Sequence, residues 1–361
     1  MRPELRQSRC TRYRFRYSEC RRCADACPHD AIVFPDGAAA IDESRCFHCA
    51  LCTSACRTGA WDSPDVPRVD LLKRAIEAPA WSFACTPSGA DADARVPCLG
   101  AIDAAMLAYL GKRGIPVELR GTGHCASCEH GARGADLVRA QLEAVNLLRE
   151  ASGESWAAVT IAADSPRDRG GRDGFVSGRR HLFRRVLGGV AGEIARAAEP
   201  VADPEPLPDK AIRAARPYVT EQRELLQIVA RKPGRAPFPM REHEALPLMQ
   251  LALADGCTAC EACFRACPTG ALQVRESDTA WSLAYRVDAC VACEVCLEVC
   301  QPRVLHARDG FDIAPGAGES TLHALVKQRC GRCDRSFVSA RPAHECAVCA
   351  DDETAFDAIF G

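Results

Sequence analysis

The sequence predicts an α+β chain of several modules, in which two small cysteine-rich units flank a small α/β layer and a paired-cysteine tail follows. Three observations carry this. A run of regularly spaced cysteines occurs at residues 10–61 and again at 251–306. Between the runs, strand patterns alternate with helical ones, and the end of the chain holds two C-x2-C pairs. The 24 cysteines among 361 residues fall almost wholly in such spacings, which reads as metal ligation in a reducing compartment, by default the cytoplasm. With aromatics at 6%, small units of this kind rely on their metal centres for stability. Lys and Arg number 46 against 48 Asp and Glu, and a net charge of −2 argues against nucleic acid as a partner. No apolar run is long enough to span a membrane, and the Arg-rich start lacks the apolar core of a secretory signal.

The second run is the more complete. Cys257, Cys260, Cys263 and Cys267-Pro268 are followed by Cys290, Cys293, Cys296 and Cys300, a tandem C-x2-C-x2-C-x3-C. Zinc usually takes two-plus-two pairs, whereas three thiolates from one tight loop and a fourth from the next helix suit a [4Fe–4S] cubane. The first run repeats this. Cys46, Cys49, Cys52 and Cys56 keep the full spacing, and Cys20, Cys23 and Cys27-Pro28 keep three-quarters of it. In both copies a short strand, a turn and a return strand follow: AIVF, Pro35-Asp36-Gly37 and AAAID in the first, ALQV and SLAYRV in the second. Tyr17 stands where the first cysteine of the first copy belongs, and Cys10 lies seven residues earlier. The reading favours Cys10 as the substitute ligand over a three-cysteine site or a [3Fe–4S] centre, because a cluster with an empty corner is labile. Arg57 replaces the proline that often follows the fourth cysteine.

On these residues, about a third of the chain, the two copies resemble bacterial dicluster ferredoxin domains. The resemblance implies that each copy wraps two [4Fe–4S] clusters and relays single electrons, with the fourth cysteine of each run serving the other run's cluster. Cys257, Cys260, Cys263 and Cys300 would hold one cluster, and Cys290, Cys293, Cys296 and Cys267 the next. Likewise Cys27, Cys46, Cys49 and Cys52 would hold a third, and Cys20, Cys23, Cys56 and Cys10 a fourth.

In the middle segment, WSFAC and PVELR read as strands. A helical pattern places Leu99, Ile102, Met106 and Leu110 on one face, and a second places Leu137, Val138, Leu142, Val145 and Leu148 inward. AAVTIA closes the layer as a further strand of a mixed or parallel sheet. Cys85, Cys98, Cys125 and Cys128 fall at or just after strand ends, where loops converge. Over about eighty residues this order loosely resembles the thioredoxin-like [2Fe–2S] ferredoxins and the delta subunit of methyl-viologen-reducing hydrogenase. A [2Fe–2S] cluster, a zinc site, a Cys125/Cys128 dithiol and buried structural thiols all remain open. Gly121-x-Gly123-x-x-Ala126 fails as a dinucleotide fingerprint, since Cys125 and Cys128 interrupt the helix it needs. Farther on, Leu182, Phe183, Val186, Leu187, Val190 and Ile194 form a helical stripe, and prolines from Pro200 to Pro239 mark connectors. Cys330, Cys333, Cys346 and Cys349 have zinc-ribbon spacing, with a rubredoxin-like iron as the alternative.

The expected modules are therefore 1–65, 70–165, a helical and Pro-rich linker at 166–250, 251–310, and a zinc-ribbon-like tail at 325–361. No hydride-cofactor fingerprint, P-loop or nucleophile–base motif is recognisable, so no catalytic residue is expected. The leading functional expectation is an electron-transfer subunit docked to redox partners in a larger oxidoreductase complex of hydrogenase, formate dehydrogenase or heterodisulfide-reductase type. The alternatives are a thiol, disulfide or sulfur redox enzyme acting at Cys125 and Cys128, and a redox-sensing assembly factor.

Overall fold

The computed structural model of the protein describes residues 1–162, 218–232, 234, 236–314 and 319–351. The expected stripe from Leu182 to Ile194 and the prolines at 200–208 lie outside the described residues.

In the first cysteine-rich copy, the short strands β1 (Glu4–Leu5), β2 (Ile32–Val33), β3 (Ala40–Ile41) and β4 (Trp61–Asp62) form two antiparallel pairs, β1 with β4 and β2 with β3. Asp36 and Gly37 close the β2–β3 hairpin with positive φ angles of 50° and 87°. Three one-turn helices, α1 (Thr11–Arg14), α2 (Arg22–Asp25) and α3 (Leu51–Ala55), follow cysteine positions. The core here is small: Ile32, Ala39, Cys52 and Trp61.

After α4 (Arg68–Ile76), the middle unit builds a four-stranded sheet from β5 (Trp81–Cys85), β6 (Ala94–Val96), β7 (Val117–Arg120) and β8 (Val159–Ile161). The order is β6-β5-β7-β8 and every pairing is parallel. The helices α5 (Ala104–Lys112) and α6 (Gly131–Ser152) fill the crossovers that parallel strands require. The first helical pattern begins later than its apolar periodicity suggests, because Asp103 caps α5 by accepting the Met106 N–H at 3.0 Å. Leu99 and Ile102 are buried ahead of that cap all the same.

Part of the expected linker packs into the body of the molecule. Helix α7 (Glu221–Val229) lies on α5, with Leu226, Val229 and Ala230 fully buried. Thr220 caps it through the Arg223 N–H, and Lys112 Nζ donates to the Val229 carbonyl at 2.8 Å.

The second copy carries β9 (Pro239–Met240), β10 (Gln250–Leu253), α8 (Ala262–Ala266), β11 (Leu272–Glu276), β12 (Ala280–Arg286), α9 (Val295–Glu298), β13 (Leu305–Arg308) and β14 (Phe311–Asp312). Its outer pair β10–β13 and hairpin β11–β12 repeat the first copy's plan. The tail is continuous with it: β15 (Glu319–Arg329) pairs with β12, and β16 (Ser336–Ser339) extends the same sheet. One continuous core runs from Phe83 and Leu119 of the middle sheet through Leu226 of α7 to Leu283 and Tyr285 of β12. Thus the middle unit and the second copy share apolar packing, and the first copy, besides its small core, joins them through Ala50 and through a patch of Cys49, Leu51 and Cys98.

Candidate iron–sulfur centres

The cysteine loops of three runs share an unusual backbone. His48 and Ala50, Ala259 and Glu261, and Ala292 and Glu294 all have positive φ, between 50° and 66°. In each run these are the residue before the second cysteine and the residue after it. Each such non-glycine residue costs roughly 1–3 kcal/mol and persists only where its surroundings over-determine it. Alternation of right- and left-handed residues aims successive N–H groups into one concavity, the nest that suits an anionic iron–sulfur centre. The degenerate run departs from this pattern: Arg21, after Cys20, has φ −127°.

Cys10, Cys20, Cys23 and Cys56 nevertheless line one pocket. Cys10 arrives from the N-terminal side of α1, where its φ of −73° and ψ of 133° cap that helix. Tyr17 is 71% exposed. Burial raises the Cys10 thiol and pushes Cys23 up to about 12, opposed at Cys23 by a hydrogen bond from the Trp61 side chain.

Around Cys49 the same remote pairing recurs. Burial pushes Cys49 up to about 11, with Cys27 and Cys46 adding to the effect, and burial raises Cys52, with Cys49, Cys23, Cys46 and Cys27 adding to it. Cys27 accepts the Ala31 N–H at 3.3 Å.

In the second copy, Cys257, Cys260, Cys263 and Cys300 line one pocket, and burial pushes Cys263 up to about 12. Burial also raises Cys290, Cys293 and Cys296, and Cys267 adds to all three. The pocket of the second copy thus joins three cysteines of one run to Cys300 of the next, and the pocket of the first copy joins Cys20 and Cys23 to Cys10 upstream and Cys56 of the next run. Thiols raised this way stay protonated when empty, so metal binding releases their protons.

The middle quartet Cys85, Cys98, Cys125 and Cys128 also lines one pocket. Parallel strands bring their C-terminal ends to one edge, the usual ligand edge of such sheets. Cys85 ends β5, Cys98 follows β6, and Cys125 and Cys128 follow β7. Helix α6 begins at Gly131, earlier than its apolar pattern, so its positive N-terminal end sits beside Cys128. Burial pushes Cys98 up to about 12 and raises Cys128.

The tail differs in scale. The sulfurs of Cys330, Cys333, Cys346 and Cys349 all lie within 4.8 Å of one another. A single tetrahedral ion with bonds of about 2.3 Å spaces its sulfurs roughly 3.8 Å apart, so the tail suits one ion. Among the described residues, no other quartet draws three of its sulfurs that close, which leaves room for a polynuclear centre. Backbone N–H groups of Cys346 and Cys333 pull the Cys330 thiol down to about 6, whereas Cys349 is pushed up to about 12, by burial first.

Two groups of residues escaped the sequence reading. His29, after Cys27-Pro28, meets His130 at 3.1 Å between Nε2 and Nδ1 and stacks on Phe47 with ring centroids 4.2 Å apart. Burial lowers both imidazoles. Arg57 crosses to the second copy: Nη1 donates to the Ala292 carbonyl at 2.7 Å and Nη2 to the Glu244 carbonyl at 3.1 Å. Its Nε–H has no hydrogen-bond partner among the described residues, and the side chain lines the Cys10 pocket. An orphan buried donor of this kind fits an anionic cluster there. The one signal available beforehand was the missing proline.

Nests, converging quartets and an orphan donor together define iron–sulfur domains of ferredoxin type. Residues 18–60 and 256–304 match the family of 4Fe-4S dicluster domains. A stretch of 38 residues is 45% identical to a protein described as an uncharacterized ferredoxin of Methanocaldococcus jannaschii, covering 10% of this chain and 25% of that protein. The chain thus spans about a quarter of the length of that relative. No solved structure matches the chain. The protein carries two ferredoxin-like [4Fe–4S] domains. No helix among the described residues is long and apolar enough to cross a membrane.

Proposed function

We propose that the chain is a multi-centre electron relay and a subunit of a larger cytoplasmic oxidoreductase complex of hydrogenase, formate dehydrogenase or heterodisulfide-reductase type. Four [4Fe–4S] clusters sit in the quartets Cys10/Cys20/Cys23/Cys56, Cys27/Cys46/Cys49/Cys52, Cys257/Cys260/Cys263/Cys300 and Cys267/Cys290/Cys293/Cys296. A [2Fe–2S] cluster sits at Cys85, Cys98, Cys125 and Cys128, and a zinc ion at the tail quartet. The observation that carries this reading is the left-handed pair of residues recurring in three cysteine runs, a strained backbone whose N–H groups suit a cluster. Bound clusters supply one-electron chemistry; the chain supplies thiolate ligands, N–H donors such as Ala31 and Ala60, and burial that sets potential. The middle unit's resemblance to hydrogenase-linked subunits supports the choice of complex.

The second reading, a sulfur redox enzyme at Cys125 and Cys128, draws on their partial exposure beside the buried Cys85 and Cys98. A reactive thiol needs a lowered pKa, and Cys128 is raised. That favours the relay. Metal and sulfide analysis of the purified protein tests it: about sixteen cubane irons are expected, and about eight would remove one repeat from the relay. Co-purifying partners identify the complex.

A further inference from the structure

We infer that the five quartets outside the tail form one unbranched relay, running from the Cys85 site through the Cys27, Cys10 and Cys267 sites to the Cys257 site, with partners docking at its two ends. This rests on the reading that each quartet holds an iron–sulfur cluster. Electron transfer falls off steeply with distance, so the order of nearest neighbours is the path.

Each link is visible in packing. The middle site meets the first copy where Cys98, Cys49 and Leu51 form one buried apolar patch, and the His29–His130 contact closes the same junction. Within the first copy, Cys52 and Cys23 pack around one small core. The two copies face each other at Cys293, which lines the pocket of the Cys10 quartet. Arg57 spans that junction to Ala292, and Arg22 pairs with Glu294 at 2.6 Å. Arg14 donates to the Arg265 carbonyl at 2.9 Å, adding a second bridge between the copies. Within the second copy, α8, which carries Cys263, packs against α9, which carries Cys296.

The two terminal pockets share no lining residue. Cys260 is exposed at one end and Cys125 and Cys128 are partly exposed at the other; no cysteine of the three inner quartets is exposed, although Cys10, Cys20, Cys23 and Cys56 are partly so. Each end suits a redox protein that presents a one-electron centre. The donor at one end loses an electron as the acceptor at the other gains it, and the clusters between return to their starting state.

The test uses the reconstituted full chain and low-temperature EPR. Cys46→Ser removes the neighbour of the middle centre, and Cys257→Ser removes the far end. Slower spin relaxation of the middle signal is expected in Cys46→Ser alone. Equal relaxation in both variants, or a middle site with no paramagnetic signal at any potential, overturns the order. Iron and sulfide content keeps this distinct from failure of the cluster reading itself, which would show as too few irons. Arg57→Gln keeps every ligand and guards against a variant that does not fold. It is expected to change the reduced-to-oxidised ratio of the two facing clusters by up to tenfold at fixed potential, leaving the terminal signals in place. A shift confined to a terminal centre overturns the junction.

Discussion

A Cβ added to Gly134 would lie 2.8 Å from the Sγ of Cys98. Helix α6 can pass the middle quartet only because that position carries no side chain, and the neighbouring Gly100 is similarly crowded, its added Cβ falling 2.9 Å from Leu51.

Gly134→Ala should therefore push Cys98 out of its quartet. Overpacking of this kind costs about 1–3 kcal/mol, but the sharper readout is composition. Metal analysis should show a loss of about two irons, with the cubane EPR signals unchanged. Full retention of iron would mean that Cys98 is not a ligand.

Cys10→Ser should remove the cluster of its pocket, lowering iron content by about four. Adding Tyr17→Cys should not restore it, because Tyr17 is 71% exposed and lies outside the pocket that Cys10 lines. Rescue by Tyr17→Cys would show that the loop can return to ferredoxin spacing.

Asp103 is fully buried, caps α5 and pairs with Arg68 at 2.8 Å. Asp103→Ala removes the cap and leaves the Arg68 cation without its partner, at a cost of roughly 3 kcal/mol. Amide exchange in α5 should quicken about 100-fold in consequence. Asp103→Asn keeps a capping oxygen and should cost less.

Zinc uptake by the tail should depend on pH in a defined sense. Backbone N–H groups pull the Cys330 thiol down to about 6, and burial pushes that of Cys349 up to about 12. At pH 7 zinc displaces the proton of Cys349 but finds Cys330 already ionised. Below about pH 6 it must displace both, so affinity falls more steeply as pH drops. Chelator competition at about pH 5 and pH 7.5 should register one additional proton per zinc at the lower value.

Cofactor type was legible in the sequence because C-x2-C-x2-C is local. Seven residues close a loop around a metal, and the spacing carries its own geometry. The α/β layer was legible too, from strands alternating with helices, though only the structure showed every pairing to be parallel. The helix Glu221–Val229 was not, since it lies in a stretch rich in prolines and earns its place by burying Leu226 against α5. Arg57 read only as a missing proline.

The amino-acid sequence by itself determined which thiols exist and how many each loop presents. Tertiary structure decided that Cys10 joins Cys20, that Cys49 meets Cys98, and that Arg57 reaches Ala292. Arg57 and Ala292 are 235 positions apart in the chain. No periodicity encodes contacts of that kind. They follow from how separately folded surfaces pack, and in a relay that packing sets the distance an electron must cross.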